Sequence, residues 1–240
     1  MAKTVEAPKK PNRMGRRSFE NEQSKPDGAM ELSAAVSTVK GFKAPKFDQT
    51  VEISMHLNID PKQADQQIRG AVALPNGIGK AKRVVAFCQG DAVKEALAAG
   101  AIKAGGEDLV AEIEKGFFDF DVAVATPDMM RVISKLGRVL GPKGLMPSPK
   151  AGTVTPKVAD AVKEYAAGKV EYRNDKSGNI NAGVGKMSFS APDLTANVQH
   201  FIDTIEKLRP TSTKGAFIKK ITISGTMTPG VRVEHTEIHE

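Results

Sequence analysis

With 240 residues, 40% of them hydrophobic, the chain can fill one large core or two modest ones. Its formal net charge of +7 favours a nucleic acid or another anionic surface as partner. A single cysteine, Cys88, excludes an internal disulfide framework and a Cys-rich zinc site, and 5% aromatic residues without Trp require mainly aliphatic cores.

Residues 1–29 are rich in Pro, Lys, Arg and Asn and poor in apolar side chains, which predicts a disordered basic tail. Lys9, Lys10, Arg13, Arg16 and Arg17 form its cationic cluster, read either as solvated or as an arm that folds against RNA. It has no apolar signal core, and Glu6, Glu20 and Glu22 argue against a transit peptide, so the expected location is cytoplasmic. Met30, Leu32, Ala35, Val36 and Val39 fall at helical spacing and predict a short amphipathic helix over 30–40. From Phe47 to Leu57 the pattern alternates. Val51, Ile53, Met55 and Leu57 share one face; Thr50, Glu52, Ser54 and His56 share the other. That wet face reads as ordinary solvent exposure or as an RNA platform on which Phe47 stacks and the hydroxyls hydrogen-bond. His56 has no nearby partner in sequence and is assigned to the surface.

The middle of the chain changes rhythm. A short apolar run, Val72–Leu74, is broken by Pro75-Asn76-Gly77. Strands are expected at Val84–Cys88 and Val122–Ala125, and helices at Ala92–Ala99, Leu109–Lys115 and Met129–Leu136. This alternation predicts a small parallel, Rossmann-like α/β layer. It also raises a nucleotide-dependent enzyme as an alternative function. Gly77-Ile78-Gly79-Lys80, however, lacks the spacing of a phosphate loop, and Ala81 stands where a metal-binding hydroxyl is needed. Cys88 reads as a buried inert thiol, and Asp119 and Asp121 as a soluble turn.

Lys135–Thr155, KLGRVLGPKGLMPSPKAGTVT, is punctuated by four Gly and three Pro and predicts a long ordered loop. Arg131, Lys135, Arg138, Lys143, Lys150 and Lys157 lie in or beside it, with no Asp or Glu between Asp128 and Asp160. Without His, Cys or carboxylate it cannot supply general acid–base or metal chemistry. It is either a connector with solvated charges or a contact for a polyanion.

Lys157–Ala167 is expected as a helix ending at Gly168, and Val170–Arg173 as a strand. After the turn Asn174–Gly178, a return strand over Ile180–Phe189 completes an expected hairpin tipped by Lys176. Ser190 with Asp193 marks a helix start, and Leu194, Val198, Phe201, Ile202, Ile205 and Leu208 form its apolar stripe. Asn197, Asp203 and Glu206 are assigned to its solvated face, and His200 to no ligand role. Between Lys207 and Val233 stand Lys207, Arg209, Lys214, Lys219, Lys220 and Arg232 with no acidic residue. Phe217, Lys219, Ile221 and Ile223 alternate there with Ile218, Lys220, Thr222 and Ser224 in a strand expected to share a domain with Phe47–Leu57. Gly225–Gly230 reads as a tight turn.

The run LGRVLGPKGLMPSPKAGTV resembles the signature of the large-subunit ribosomal protein L-one family, bacterial type, the universal stalk protein, and the resemblance extends from about Phe47 to Val233. It implies an α/β chain of two domains. Residues 30–75 and 169–233 would form a discontinuous α+β RNA-binding domain of split β-α-β type, with 76–168 inserted as a Rossmann-like domain and 234–240 as a tail. Crossings near Pro75 and Gly168 would act as a hinge. It further implies a non-catalytic ribosomal constituent without cofactor, monomeric when free, with no membrane or small-molecule partner. Its partners would be large-subunit ribosomal RNA, exit-site tRNA, whose release it would assist, and its own messenger RNA, which it would repress. Carried onto this sequence, the implied RNA-binding residues are Lys46, Phe47, Thr50, Glu52, Arg173, Asp175, Lys176, Ser177, Lys220, Thr226 and Met227. The family usually has Gly where Thr228 stands, and a β-branched residue there is costly if the turn needs a positive φ. The basic tail leaves a third alternative, a binder of membrane surfaces or other anionic scaffolds.

Overall fold

The computed structural model describes residues 15–213 and 215–235. The expectations for residues 1–14, Lys214 and residues 236–240 lie outside the described residues. The first half runs α1 (Arg16–Gln23), α2 (Leu32–Gly41), β1 (Thr50–Leu57), β2 (Arg69–Val72), β3 (Val84–Phe87), α3 (Asp91–Ala98), β4 (Lys103–Gly105) and α4 (Glu107–Glu114). Then follow β5 (Val122–Ala125), α5 (Met130–Ile133), α6 (Gly137–Leu140), α7 (Val158–Ala166), β6 (Val170–Arg173), β7 (Asn179–Lys186), α8 (Ala191–Glu206), β8 (Ile218–Gly225) and β9 (Val231–Val233). The fold is mixed α/β, with helices and several sheets.

The period-two stripe of β1 determines the largest sheet, a four-stranded antiparallel array in the order β7-β1-β8-β9. Val51, Ile53, Met55 and Leu57 are buried on one face. They share a core with Ala35, Val36 and Val39 of α2 and with Leu194, Val198, Phe201, Ile202 and Ile205 of α8. The Ser190 hydroxyl caps α8 by accepting from the Asp193 N–H at 3.3 Å.

The parallel layer expected from the middle of the chain is present as three strands in the order β4-β3-β5. All four residues of β3 are buried, as a strand covered on both faces requires. Val85 and Phe87 meet Leu109, Ile113, Ile133, Leu136 and Leu140 on one side. Val84, Ala86 and Cys88 meet Ala96, Val158, Val162 and Tyr165 on the other. A separate antiparallel ribbon, β2 with β6, pairs Arg69 with Arg173 and Val72 with Val170.

Several expectations are corrected. Residues 1–29 do not form one disordered tail, because α1 folds within them. Its docking needs almost no apolar surface: Asn21, 1% exposed, donates to Lys43 O at 3.1 Å and accepts from Lys43 N at 2.9 Å. The stretch Lys135–Thr155 is not irregular throughout. Leu136 and Leu140, four residues apart, are drawn into the core and carry helical turns through Gly137 and Gly141. Only Gly144 and Gly152 use left-handed angles. The Tyr165 hydroxyl then pins the turn Pro149–Ala151 by donating to Ala151 O at 2.6 Å.

The chain does reverse across Asn174–Gly178, where Asp175 N donates to Asn179 O at 2.8 Å, but no hairpin ladder extends from the turn. Strands β6 and β7 share one bridge, Asn174 with Ile180, and then part to different sheets. The strand β4, too short to show a pattern, escaped the sequence. In β8 the register against β1 steps from Ile218 to Lys220, leaving Lys219 as the extra residue of a bulge, so both lysines are exposed. Leu208 lies beyond the end of α8 and is 43% exposed.

Asn197 is fully buried, not solvated. It donates to Val184 O at 2.8 Å and Gly77 O at 2.9 Å and accepts from Asn76 N at 3.1 Å. It thereby ties α8 to β7 and to the chain leaving β2. Asn197→Ala strands these groups and is expected to cost about 2–3 kcal/mol, measured by urea unfolding. A loss below about 0.5 kcal/mol would show that the bonds are dispensable.

Candidate nucleic-acid interface

Because β1 buries its odd-numbered residues, its even-numbered ones open to the other side with those of its neighbours. Glu52 stands opposite Ser224 and Gly183, Ser54 opposite Thr222 and Asn181, and His56 opposite Lys220 and Asn179. Thr222 in turn stands opposite Arg232 of β9. The result is a sheet face of hydroxyls, amides and a few cations. Thr50 lies at one edge of this field, where Lys186 Nζ donates to its hydroxyl at 2.8 Å.

At the Thr50 end, the turn after β8 is stitched to the strand entering β1. Thr226 N donates to Thr50 O at 3.1 Å, and Thr50 N donates to the Thr226 hydroxyl at 3.2 Å. Gln49, 1% exposed, accepts from Met227 N at 2.8 Å. These bonds consume the inner polar groups of the turn and leave the Met227 side chain 50% exposed. Phe47, three residues before Thr50, is 51% exposed, and Lys46 beside it is also exposed. At one end of a polar face, the exposed Phe47 ring suits stacking against a base and the exposed Met227 side chain suits apolar contact.

The strain feared at Thr228 is absent. No described residue other than Gly has positive φ, and neither Gly225 nor Gly230 is among the glycines that do. The Thr228 hydroxyl instead accepts from Gly225 N at 2.8 Å, closing the turn with a side-chain bond. Gly225 and Gly230 serve close approach: a Cβ would lie 2.9 Å from Met187 and 2.7 Å from Thr222 respectively.

Roughly 23 Å along β1, at the rise of an extended strand, lies the second turn. The Asp175 carboxylate accepts from Ser177 N at 2.7 Å, Asn179 N at 2.8 Å and Asn179 Nδ2 at 3.0 Å. These bonds, the Asn179 backbone N–H foremost, hold its pKa below the ordinary carboxylate value. Asp175 is therefore a turn builder that presents the exposed Lys176 and Ser177. His56 is not without a partner, since its Nδ1 lies 2.8 Å from Asn179 Oδ1.

Arg173 is the one expected residue set apart from this face. It stands on the β2–β6 ribbon, in a recess of about 220 Å³ lined by Gln67, Arg69, Lys150, Arg173 and Asn174. Arg69 is paired with Glu171 at 2.7 Å, whereas Arg173 and Lys150 have no carboxylate partner among the described residues. Sequence reading also missed Lys186 and Gln49 as members of the site. Lys186 ends a Gly-loosened strand, and nothing local distinguishes a buried Gln49 from a solvated one.

The competing sites dissolve on inspection. Gly77 and Gly79 adopt positive φ, and a Cβ on either would meet Ala167 O at 2.9 Å or the Phe189 ring at 2.7 Å, so these glycines serve chain packing. Asp119 and Asp121 are not a free turn, because both hold Arg83. Cys88 is buried, which pushes its thiol pKa up and away from reactivity. Among the described residues, no helix is long and apolar enough to cross a membrane.

A hydroxyl-rich sheet face carrying cations and exposed apolar side chains has the chemistry to meet RNA. Residues 39–229 match the sequence model of the Ribosomal protein L1p/L10e family, and the chain belongs to that family. It is accordingly a ribosomal constituent of the translation machinery that binds large-subunit ribosomal RNA. The match lends no support to the nucleotide-dependent enzyme.

The depressed pKa of Asp175 gives a signed test. Its charged form stabilises the fold above the unfolded carboxylate value, about 3.9, and that contribution is lost as the pH falls through the lower folded value. Asp175→Ala is therefore expected to reduce stability at neutral pH, with the deficit shrinking as the pH falls below the unfolded carboxylate value and the parent's Asp175 is protonated. Equal deficits across that range, in urea unfolding at several pH values, would remove the charge from the account.

Proposed function

We propose that the open face of the β7-β1-β8-β9 sheet is the surface on which large-subunit ribosomal RNA sits. The observation that carries this reading is the reciprocal bonding of Thr50 and Thr226, which merges polar residues from both chain ends into one surface. Lys46, Lys176 and Lys220 neutralise phosphates. Phe47 offers stacking surface and Met227 apolar contact, while Thr50, Glu52, Ser177 and Thr226 meet ribose hydroxyls and base edges. Asp175 acts through the shape of its turn, and Arg173 extends the contact towards the ribbon.

The finer organisation follows the same reading. Residues 30–75 with 169–233 act as one RNA-binding unit, and 76–168 as a second that projects outward. In support, the core beneath the four-stranded sheet draws its buried residues from 35–74 and 170–233, and the two cores of the parallel layer draw theirs from 84–165. The β2–β6 ribbon is then the crossing about which the second unit moves. As a stalk protein of the bacterial type, the chain assists release of deacylated tRNA from the exit site. The same sheet face represses its own messenger RNA when that RNA imitates the ribosomal site.

Two outcomes test the surface. With about four phosphates neutralised, affinity for large-subunit RNA is expected to fall roughly 50–150-fold between ~50 and ~200 mM salt, and a flat response in filter binding would contradict the phosphate contacts. The double variant Thr226→Ala, Met227→Ala is expected to weaken specific binding by about tenfold or more while the fold persists. Unchanged affinity with intact circular dichroism would remove the turn from the site.

A further inference from the structure

Helix α1 lies outside the family match, which begins at residue 39, yet it docks beside the turn of Thr226 and Met227. Its anchor is the reciprocal Asn21–Lys43 backbone pair, reinforced by the Glu20–Lys43 ion pair at 2.7 Å. The anchored helix places Arg17 Nη2 3.8 Å from Met227 Sδ. Met227 is the half-exposed side chain at the end of the sheet face, so anything that covers it meets Arg17 as well.

The charges around α1 single out Arg17. Glu20 is shared by Arg16 at 3.1 Å and Lys43, and its carboxyl pKa is held low first by Lys43 and then by Arg16. Glu22 pairs with Lys25 at 3.5 Å. Arg17 has no carboxylate partner among the described residues. Its Nε is buried without an acceptor, and so is Nε2 of Gln49, whose Oε1 holds Met227 N. A guanidinium whose one acceptor among the described residues is a thioether, and whose Nε–H is desolvated without a partner there, is energetically incomplete. An anion arriving over Met227 meets the Arg17 Nη donors, which have only a thioether as acceptor, because the guanidinium fork matches phosphate oxygens.

We propose that α1 is an additional RNA grip, in which Arg17 donates to a backbone phosphate of the RNA segment that covers Met227. This rests on reading the sheet face as the RNA surface. It extends that surface beyond the stretch that the family model matches and explains why a charge-rich segment folds back onto this corner. The rival occupant of the corner is the helix itself, as a strap that shields Met227 and must be displaced.

The test uses the full chain and purified large-subunit ribosomal RNA, with affinity followed by filter binding across a salt series. Arg17→Ala is expected to weaken binding by about tenfold and to reduce the salt slope by roughly one phosphate contact. Asn21→Ala, which releases the helix while leaving Arg17 in place, is expected to weaken binding in the same direction. Affinities within about twofold of the parent for both variants, or tighter binding by either, overturn the proposal. The variant Thr226→Ala, Met227→Ala is measured in parallel. If it weakens binding while Arg17→Ala does not, the α1 grip fails and the sheet surface stands. If the parent chain itself shows no affinity, the sheet surface has failed.

Discussion

The placement of β1 between β7 and β8 is the constraint on which the rest depends. A strand from the first quarter of the chain is paired along both edges by strands from the last third. Closing such long loops costs entropy that grows only slowly with length, and the ladders on both edges together with one buried face offset it. Once Val51, Ile53, Met55 and Leu57 face α2 and α8, the facing of every other residue on β1 is determined. A slip of one residue would turn the apolar set outward, so the polar set on the open face is held in register by the core behind it. The proposed RNA surface is the reverse side of a packing solution.

The same economy appears at the two turns that end the face. Their polar atoms are mostly spent on internal bonds: Thr226 on Thr50, Thr228 on Gly225, Asp175 on Ser177 and Asn179. The side chains left exposed, Met227, Lys176 and Ser177, are held out by rigid backbone, which lowers the entropy lost when a partner binds. Glu52 lies among them opposite Ser224, an acceptor in a field otherwise of donors and hydroxyls. A uniformly cationic face would bind any polyanion; mixing acceptors with donors favours particular ribose and base edges.

Much of this was legible in the sequence where one period ran long enough to be unambiguous. The alternation of Val51 through Leu57 and the stripe of α8 each imply one buried face, and their shared core follows. The parallel layer was legible because β3 and β5 are short apolar runs between helical ones. What could not be read depended on partners distant in the chain. Asn197 looks solvated by position and becomes fully buried only because Val184, Gly77 and Asn76 present three backbone groups to it. The departure of β7 from β6 is decided by β1, more than a hundred residues earlier. The docking of α1 rests on polar contacts, chiefly Asn21 reading the Lys43 backbone and Glu20 pairing with Lys43, with no apolar stripe to announce it. Of the eleven residues inferred from family resemblance, Thr50, Glu52 and Lys220 lie on strands of the four-stranded sheet, seven lie in the segments at its two ends, and Arg173 stands on the ribbon.

The most direct test of the central claim is ultraviolet cross-linking of the intact protein to large-subunit ribosomal RNA, with the attached peptides identified by mass spectrometry. The account predicts cross-links at the open face and its two ends, in peptides carrying Phe47, Lys176, Lys220 and Met227. Cross-links concentrated instead on the helices covering the parallel layer, with the four-stranded face unmarked, would contradict it.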